Sequence, residues 1–295
     1  MALYMNGQEI SQSSGVPILG ATKPYIEEIY NSDGQLISAN MHGYDAIRSY
    51  MFSDCTKLAL NSLPSGITSI GKNAFQNCTN LALNSLPSGI TSIGSNAFSG
   101  CTNLALTSLP SGLTSISSYT FHSCSNLALT SLPRGITSIG LGAFLNCSKL
   151  ALTSLPSGIT SINISTFENC SNLALTSLPS GITSIKNNAF YSCTKLALIS
   201  LPSGLTSIGR DAFYYCPNLA LTSLPSGLTD IGNNAFEKCT GLTSITFTGT
   251  PTSIGNRAFS NCTNLRTINV PWASGAVANA PWGATNATIN YGYAG

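Results

Sequence analysis

Asn80-Leu81-Ala82-Leu83-Asn84-Ser85-Leu86-Pro87-Ser88-Gly89-Ile90-Thr91-Ser92-Ile93-Gly94-Ser95-Asn96-Ala97-Phe98-Ser99-Gly100-Cys101-Thr102 is one copy of a unit that fills most of the chain. Shifted by 23 residues, it recurs with few changes. All ten cysteines, Cys55 through Cys262, keep that step, and ten of the eleven phenylalanines, Phe52 through Phe259, each stand three residues before one. A fixed period of about 20 to 50 residues marks a solenoid, in which one supersecondary unit is stacked on itself.

Within a copy, Leu81-Ala82-Leu83 alternates apolar and small residues, which predicts a short strand. Leu86-Pro87-Ser88-Gly89 predicts a turn, because proline presets φ and glycine closes the turn without strain. Ile90-Thr91-Ser92-Ile93 predicts a second short extended segment on another side of the coil, and Gly94 a corner. The run from Asn96 to Cys101 is too short for a stable helix, so one helical or 3₁₀ turn is expected there, with Phe98 in the core. A single copy cannot fold alone, since its few large apolar side chains do not offset the backbone entropy of 23 residues. Stacked copies share their burial and a parallel backbone ladder at about 4.8 Å per coil, giving a rod or shallow arc on the order of 45 Å long.

The order Leu-x-x-Ile-x-x-Pro, then Ile-x-x-Ile-Gly-x-x-Ala-Phe-x-x-Cys, resembles the bacterial leucine-rich repeats of the BspA-like, Treponema-type class. Leu242-Thr243-Ser244-Ile245-Thr246-Phe247 and Leu265-Arg266-Thr267-Ile268-Asn269-Val270-Pro271 carry the strand half of that pattern. The other copies read Leu-x-Leu-x-x-Leu-Pro, with the two spacings inverted. The resemblance spans residues 40–271. It implies a right-handed leucine-rich repeat superhelix with a parallel β-sheet, short strands and single helical or 3₁₀ turns, capped at both ends. It also implies a non-enzymatic adhesion or binding module on a bacterial surface, facing a protein or glycan partner.

The organisation expected is a leader and N-terminal cap over 1–39, about ten repeats over 40–271, and a C-terminal cap over 272–295. Residues 1 to about 22, with Ser11-Gln12-Ser13-Ser14-Gly15, read as a flexible leader. Tyr25-Ile26-Glu27-Glu28-Ile29-Tyr30 and Gln35-Leu36-Ile37, joined through Asp33-Gly34, read as a hairpin. Gly43 to Ile47 is already in phase with Gly66 to Ile70. Past Pro271, Trp272 and Trp282 are expected to cover the last coil, and Thr288-Ile289-Asn290-Tyr291 to add a final strand.

Charged residues make up only 7% of the chain and its formal net charge is +2, with no run of Lys or Arg. That argues against nucleic-acid binding and against a steering field. Apolar runs last a few residues, far short of the roughly 20 that span a bilayer. A monomer without cofactor or metal is expected. Met1 to Gly7 has neither the basic start nor the apolar run of a secretion signal. A removed leader, or exit within a phage particle, is the corresponding expectation. Asn6-Gly7 and Ala280-Pro281-Trp282-Gly283-Ala284 resemble phage tail-associated proteins of gut bacteria, which implies a structural spacer as the alternative role.

Equivalent cysteines on adjacent coils would lie about 4.8 Å apart with parallel Cβ directions, which disfavours disulfides, and no Cys-x-x-Cys pair suggests zinc. Ten buried free thiols are expected. Catalytic groups are sparse: the two histidines are His42 and His122, His122 is expected on the surface, and the carboxylates are scattered. Variation between copies concentrates around Ala-Phe. Tyr191 and Tyr214 fall at the same position one copy apart, with Tyr215 beside them and Arg210 on the same edge. Tyr and Arg are the residues of interface hot spots. These four, with His122 and Tyr119, are the candidate binding residues.

Overall fold

The computed structural model describes residues 3–5, 8–10 and 25–294. From Ala46 on the chain is a parallel-strand β-solenoid of about 11 turns, and the described residues contain no helix. Most strands are the Ser-Ile pairs of the second extended segment, such as Ser69–Ile70 and Ser92–Ile93, which pair in register with each other across 23 residues. Every isoleucine of this row is buried.

That row breaks into three sheets. Ala46–Ile47 to Ser92–Ile93 is one, Ser115–Ile116 with Ser138–Ile139 the second, and Ser161–Ile162 to Ser253–Ile254 the third. Each break falls where the corner glycine is replaced. A corner glycine donates its N–H to the isoleucine carbonyl of the preceding coil, as Gly94 does to Ile70 at 2.8 Å. A Cβ on Gly94 would stand 2.5 Å from the backbone nitrogen of Lys72. At Ser117 and Asn163 that backbone bond is missing, and the side chain spans the gap instead. Ser117 Oγ donates to the Ile93 carbonyl at 2.8 Å, and Asn163 Nδ2 donates to that of Ile139 at 2.7 Å. Lys186, also at a corner, keeps its backbone bond to Ile162 at 2.9 Å.

The expected strand at Leu-Ala-Leu does not form in most coils. Both leucines are buried, as at Leu104 and Leu106, but in most coils a single alanine N–H ties the segment to the preceding coil, such as Ala105 N–H to the Leu83 carbonyl at 3.1 Å. Alternation ends there because two outward residues follow, Thr107 and Ser108. Four-residue strands appear where the Leu-x-x-Ile pattern holds, at Ser244–Phe247 and Thr267–Val270, flanked in one parallel sheet by Ser223–Leu224 and Thr288–Tyr291. Thr288–Tyr291 is the final strand expected from the sequence.

The expected helical or 3₁₀ turn is also replaced. Between Gly94 and Cys101, alternate N–H groups point to two different places. Ala97, Ser99 and Cys101 donate three residues back within the coil, while Asn96, Phe98 and Gly100 donate to Ser118, Thr120 and His122 of the next coil. A helix would spend all these donors on itself. Sharing them between coils requires left-handed backbone at Asn96 (φ 56) and Gly100 (φ 77), which interrupts any helical run.

This geometry stacks the phenylalanines. From Phe52 to Phe259 successive rings lie nearly parallel with centroids 5.3 to 5.7 Å apart, all fully buried. The cysteines are free. From Cys78 to Cys262 each thiol donates to the carbonyl of a phenylalanine 26 residues back, at 2.9 to 3.1 Å. Nine are buried. Cys55, on the first coil, is half-exposed, which corrects the expectation of ten buried thiols.

At the N-terminal end, β1 (Leu3–Met5), β2 (Gln8–Ile10), β3 (Tyr25–Tyr30) and β4 (Leu36–His42) form an antiparallel sheet in the order β2-β1-β3-β4. The β3–β4 hairpin is the one read from Asp33-Gly34, and it hands on to the first coil through Ala59 N–H to the Ile37 carbonyl at 3.0 Å. The leader was expected to be flexible, yet two of its stretches are strands in this sheet. Its remainder, with Ser11 to Gly15, lies outside the described residues. At the other end Trp272 and Trp282 are buried around Phe247, the Trp272 ring 5.2 Å from it.

Candidate functional site

The residue after each core phenylalanine forms a column along the coils, buried at Ser99 and Glu237 and partly exposed at Tyr191 and Tyr214. Its chemistry is ordinary until the coils at Tyr191 and Tyr214. There the two rings lie parallel within 6°, centroids 4.7 Å apart, so the tyrosines continue on the outside the stacking that the phenylalanines make inside. Lys238, on the next coil, reaches back to hydrogen-bond the Tyr214 hydroxyl, its Nζ 4.8 Å from the ring centroid. Burial pushes the Tyr191 phenol up from its ordinary value, while the bond to Tyr214 pushes the Lys238 ammonium up.

Tyr215 is exposed beside this stack. Its column has left-handed backbone in every coil and is filled mostly by Asn, Ser and Gly, such as Asn77, Gly100, Ser123 and Asn146. Tyr215 (φ 55) and Lys238 (φ 63) are bulky residues in a conformation that favours small or amide side chains. Arg210 pairs through Nε with Asp211 at 2.8 Å and exposes 68% of its side chain, leaving its terminal nitrogens toward solvent. Asp211 also accepts from Asn234 at 2.9 Å. Glu237, next to Lys238, is buried and held by Arg257 at 2.7 Å and Asn261 at 3.3 Å.

The structure thus stacks Tyr191 on Tyr214, with Tyr215 next in the chain, while Arg210 faces a groove that it lines with Lys186. Tyr119 and His122 belong to a coil three repeats earlier and stand apart. Tyr119 lays its ring against Gly142, where an added Cβ would meet the ring at 2.4 Å. His122 is not the surface histidine expected. It is half-buried, edge-on to Tyr119 at 5.9 Å, with Nδ1 3.1 Å from Ser99 Oγ, and burial pushes its pKa down. The Cys124 thiol donates to the Phe98 carbonyl rather than to His122. From Cys55 to Phe167 the sequence has no carboxylate to orient a Ser-His pair. Among the described residues no group of three or more His, Cys, Asp or Glu could hold a metal, and no helix is long and apolar enough to cross a membrane.

Lys238 is the residue that sequence reasoning missed. Its signal lay in the pair Glu237-Lys238, which follows Phe236 as Tyr214-Tyr215 follows Phe213. The reach back across one coil boundary could not be read from composition.

A sequence model of the BspA type leucine rich repeat region, in 6 copies, matches residues 45–174 and 166–279. The chain belongs to the BspA-type leucine-rich repeat family. Its coils also resemble solved leucine-rich repeat proteins. One from Bacteroides ovatus is 21% identical with a TM-score of 0.57, covering 90% of this chain and 75% of its own. Another from Eubacterium ventriosum is 20% identical with a TM-score of 0.50, covering 83% and 76%. A leucine rich cell surface protein from Faecalibacterium prausnitzii is 23% identical with a TM-score of 0.40, covering 84% and 94%. At these identities the likeness is one of fold. No curated protein sequence matches the chain at a significant level.

Proposed function

We propose that this BspA-type chain is a non-enzymatic recognition module, working outside a bacterial cell, whose tyrosine edge contacts a protein or glycan partner. The observation that carries the reading is the Tyr191–Tyr214 stack tied down by Lys238. It joins two partly exposed tyrosine rings across one coil boundary. Ordering large aromatic side chains in advance lowers the entropy lost on binding, and Tyr with Arg is the composition of binding hot spots. The repeated coils supply rigidity rather than chemistry.

The test is a pull-down from bacterial and host surface extracts with the wild-type chain and the Tyr191→Ser/Tyr214→Ser/Tyr215→Ser variant. Capture of a partner by the wild type, reduced at least tenfold in the variant with its circular dichroism unchanged, supports the reading. A partner captured equally by both refutes the edge as the contact surface.

A further inference from the structure

We propose that the tyrosine edge recognises an acidic segment of a partner protein, placing an Asp or Glu carboxylate at the tips of Tyr191, Tyr214 and Lys238. The inference rests on the edge being the contact surface and adds the chemistry of what it contacts. It follows from which polar groups on this edge are already used.

Three of the four carboxylates around the edge are spent as acceptors. Asp211 takes Arg210 Nε and Asn234 Nδ2, at 2.8 and 2.9 Å. Glu237 is buried under Arg257 and Asn261. Asp230, one coil beyond Arg210, takes the hydroxyls of Thr229 and Ser253 at 2.7 and 2.8 Å, which hold its carboxyl below the usual range. Glu168, one coil before Tyr191 in the same column, is the carboxylate that keeps its acceptors, and its charge, like that of Asp211, reaches Tyr191.

The donors are not spent. The Tyr214 oxygen accepts from Lys238, so its own proton is free to donate outward, as is that of Tyr191. Lys238 uses one of three N–H groups on that bond, and neither it nor Lys186 forms an ion pair among the described residues. Arg210 keeps its terminal nitrogens free and turns the corner into an open groove of about 590 Å³ that also holds Lys186. Charge-assisted bonds from such donors to a carboxylate are about twice as strong as neutral ones.

The rings favour a protein over a sugar. Tyr191 and Tyr214 each give one face to the other and Lys238 lies over the Tyr214 ring, which leaves less ring face for a saccharide to stack on. Tyr215, exposed beside them, supplies apolar area for a hydrophobic neighbour of the acidic residue.

The experiment is selection of a displayed random twelve-residue peptide library on the wild-type chain, with counter-selection on Tyr191→Ser/Tyr214→Ser. The expected winners carry Asp or Glu beside an apolar residue. Changing that acid to Gln, or Lys238 to Gln in the protein, should weaken a winning peptide tenfold or more, and added salt should weaken it further. Unchanged melting of the Lys238→Gln variant separates lost contact from lost fold. Tyrosine-dependent winners that are neutral or basic overturn the acidic partner and leave the edge reading standing. Winners indifferent to the tyrosines overturn both. Failure to select any tyrosine-dependent peptide, with tyrosine-dependent binding of an oligogalacturonate probe, replaces the protein partner by an acidic glycan.

Discussion

Raising the pH should unfold this protein abruptly, because the thiol ladder cannot ionise in place. Nine cysteines are buried. Burial pushes the thiols of Cys78, Cys216 and Cys262 up to about 12, and those of Cys101, Cys124, Cys147, Cys170, Cys193 and Cys239 well above the ordinary value. An unfolded thiol ionises near 8.5. Where the folded state holds more protons than the unfolded one, stability falls as pH rises. The contribution is thus fully present below about pH 8.5 and is lost above it. At pH 10 each thiol costs about 2 kcal/mol, and nine cost about 18 kcal/mol. That exceeds the roughly 5–15 kcal/mol by which a native protein is held together. Circular dichroism followed from neutral pH upward should therefore collapse between about pH 9 and 10, with thiolate absorbance rising in the same step. Cys147→Ala should make the step shallower by about one proton. At pH 8 a thiol reagent should find one group on the native protein, Cys55, and ten after unfolding. Native ellipticity surviving to about pH 11, or thiolates appearing gradually near pH 9 with the fold intact, would refute the reasoning.

Phe167→Ala removes a fully buried ring with neighbours at 5.7 and 5.5 Å, and should cost about 4–6 kcal/mol by urea unfolding. Because coils touch only their neighbours, hydrogen exchange should rise across the middle of the solenoid, whereas Phe52→Ala should loosen only the first coils; identical exchange maps would contradict this. Ser117→Gly should restore a backbone bond to Ile93 and raise the melting temperature. Gly232→Ala should lower it, because its Cβ would stand 2.4 Å from the Arg210 backbone nitrogen, and equal melting of the two variants would argue against the corner mechanism. His122 has its pKa lowered by burial, so its contribution is present above about pH 6.5 and lost as pH falls through the folded value. His122→Gln should flatten the melting temperature between about pH 7.5 and 5, and an unchanged slope would show that His122 does not carry it.

The sequence by itself determined the solenoid and its interior. A period of 23 places Phe98, Cys101 and Ile93 at the same point of every coil, and identical apolar groups at one point can only be buried by stacking in register. The free thiols followed from the same translation, since repeated side chains run parallel and do not converge. The hairpin at Asp33-Gly34 and the strand at Thr288 were equally legible, because their signals are local. Tertiary structure alone decided how each coil divides its hydrogen bonds. The alternation of N–H groups between Asn96 and Cys101 depends on a neighbour at the right height, and no window of one copy contains that neighbour. The sheet breaks at Ser117 and Asn163 arise from the spacing between coils. The link from Lys238 to Tyr214 spans 24 residues rather than 23, a lateral offset set by how one coil sits on the next. Periodicity fixes what repeats. Only the packed coils show which of the unrepeated side chains meet.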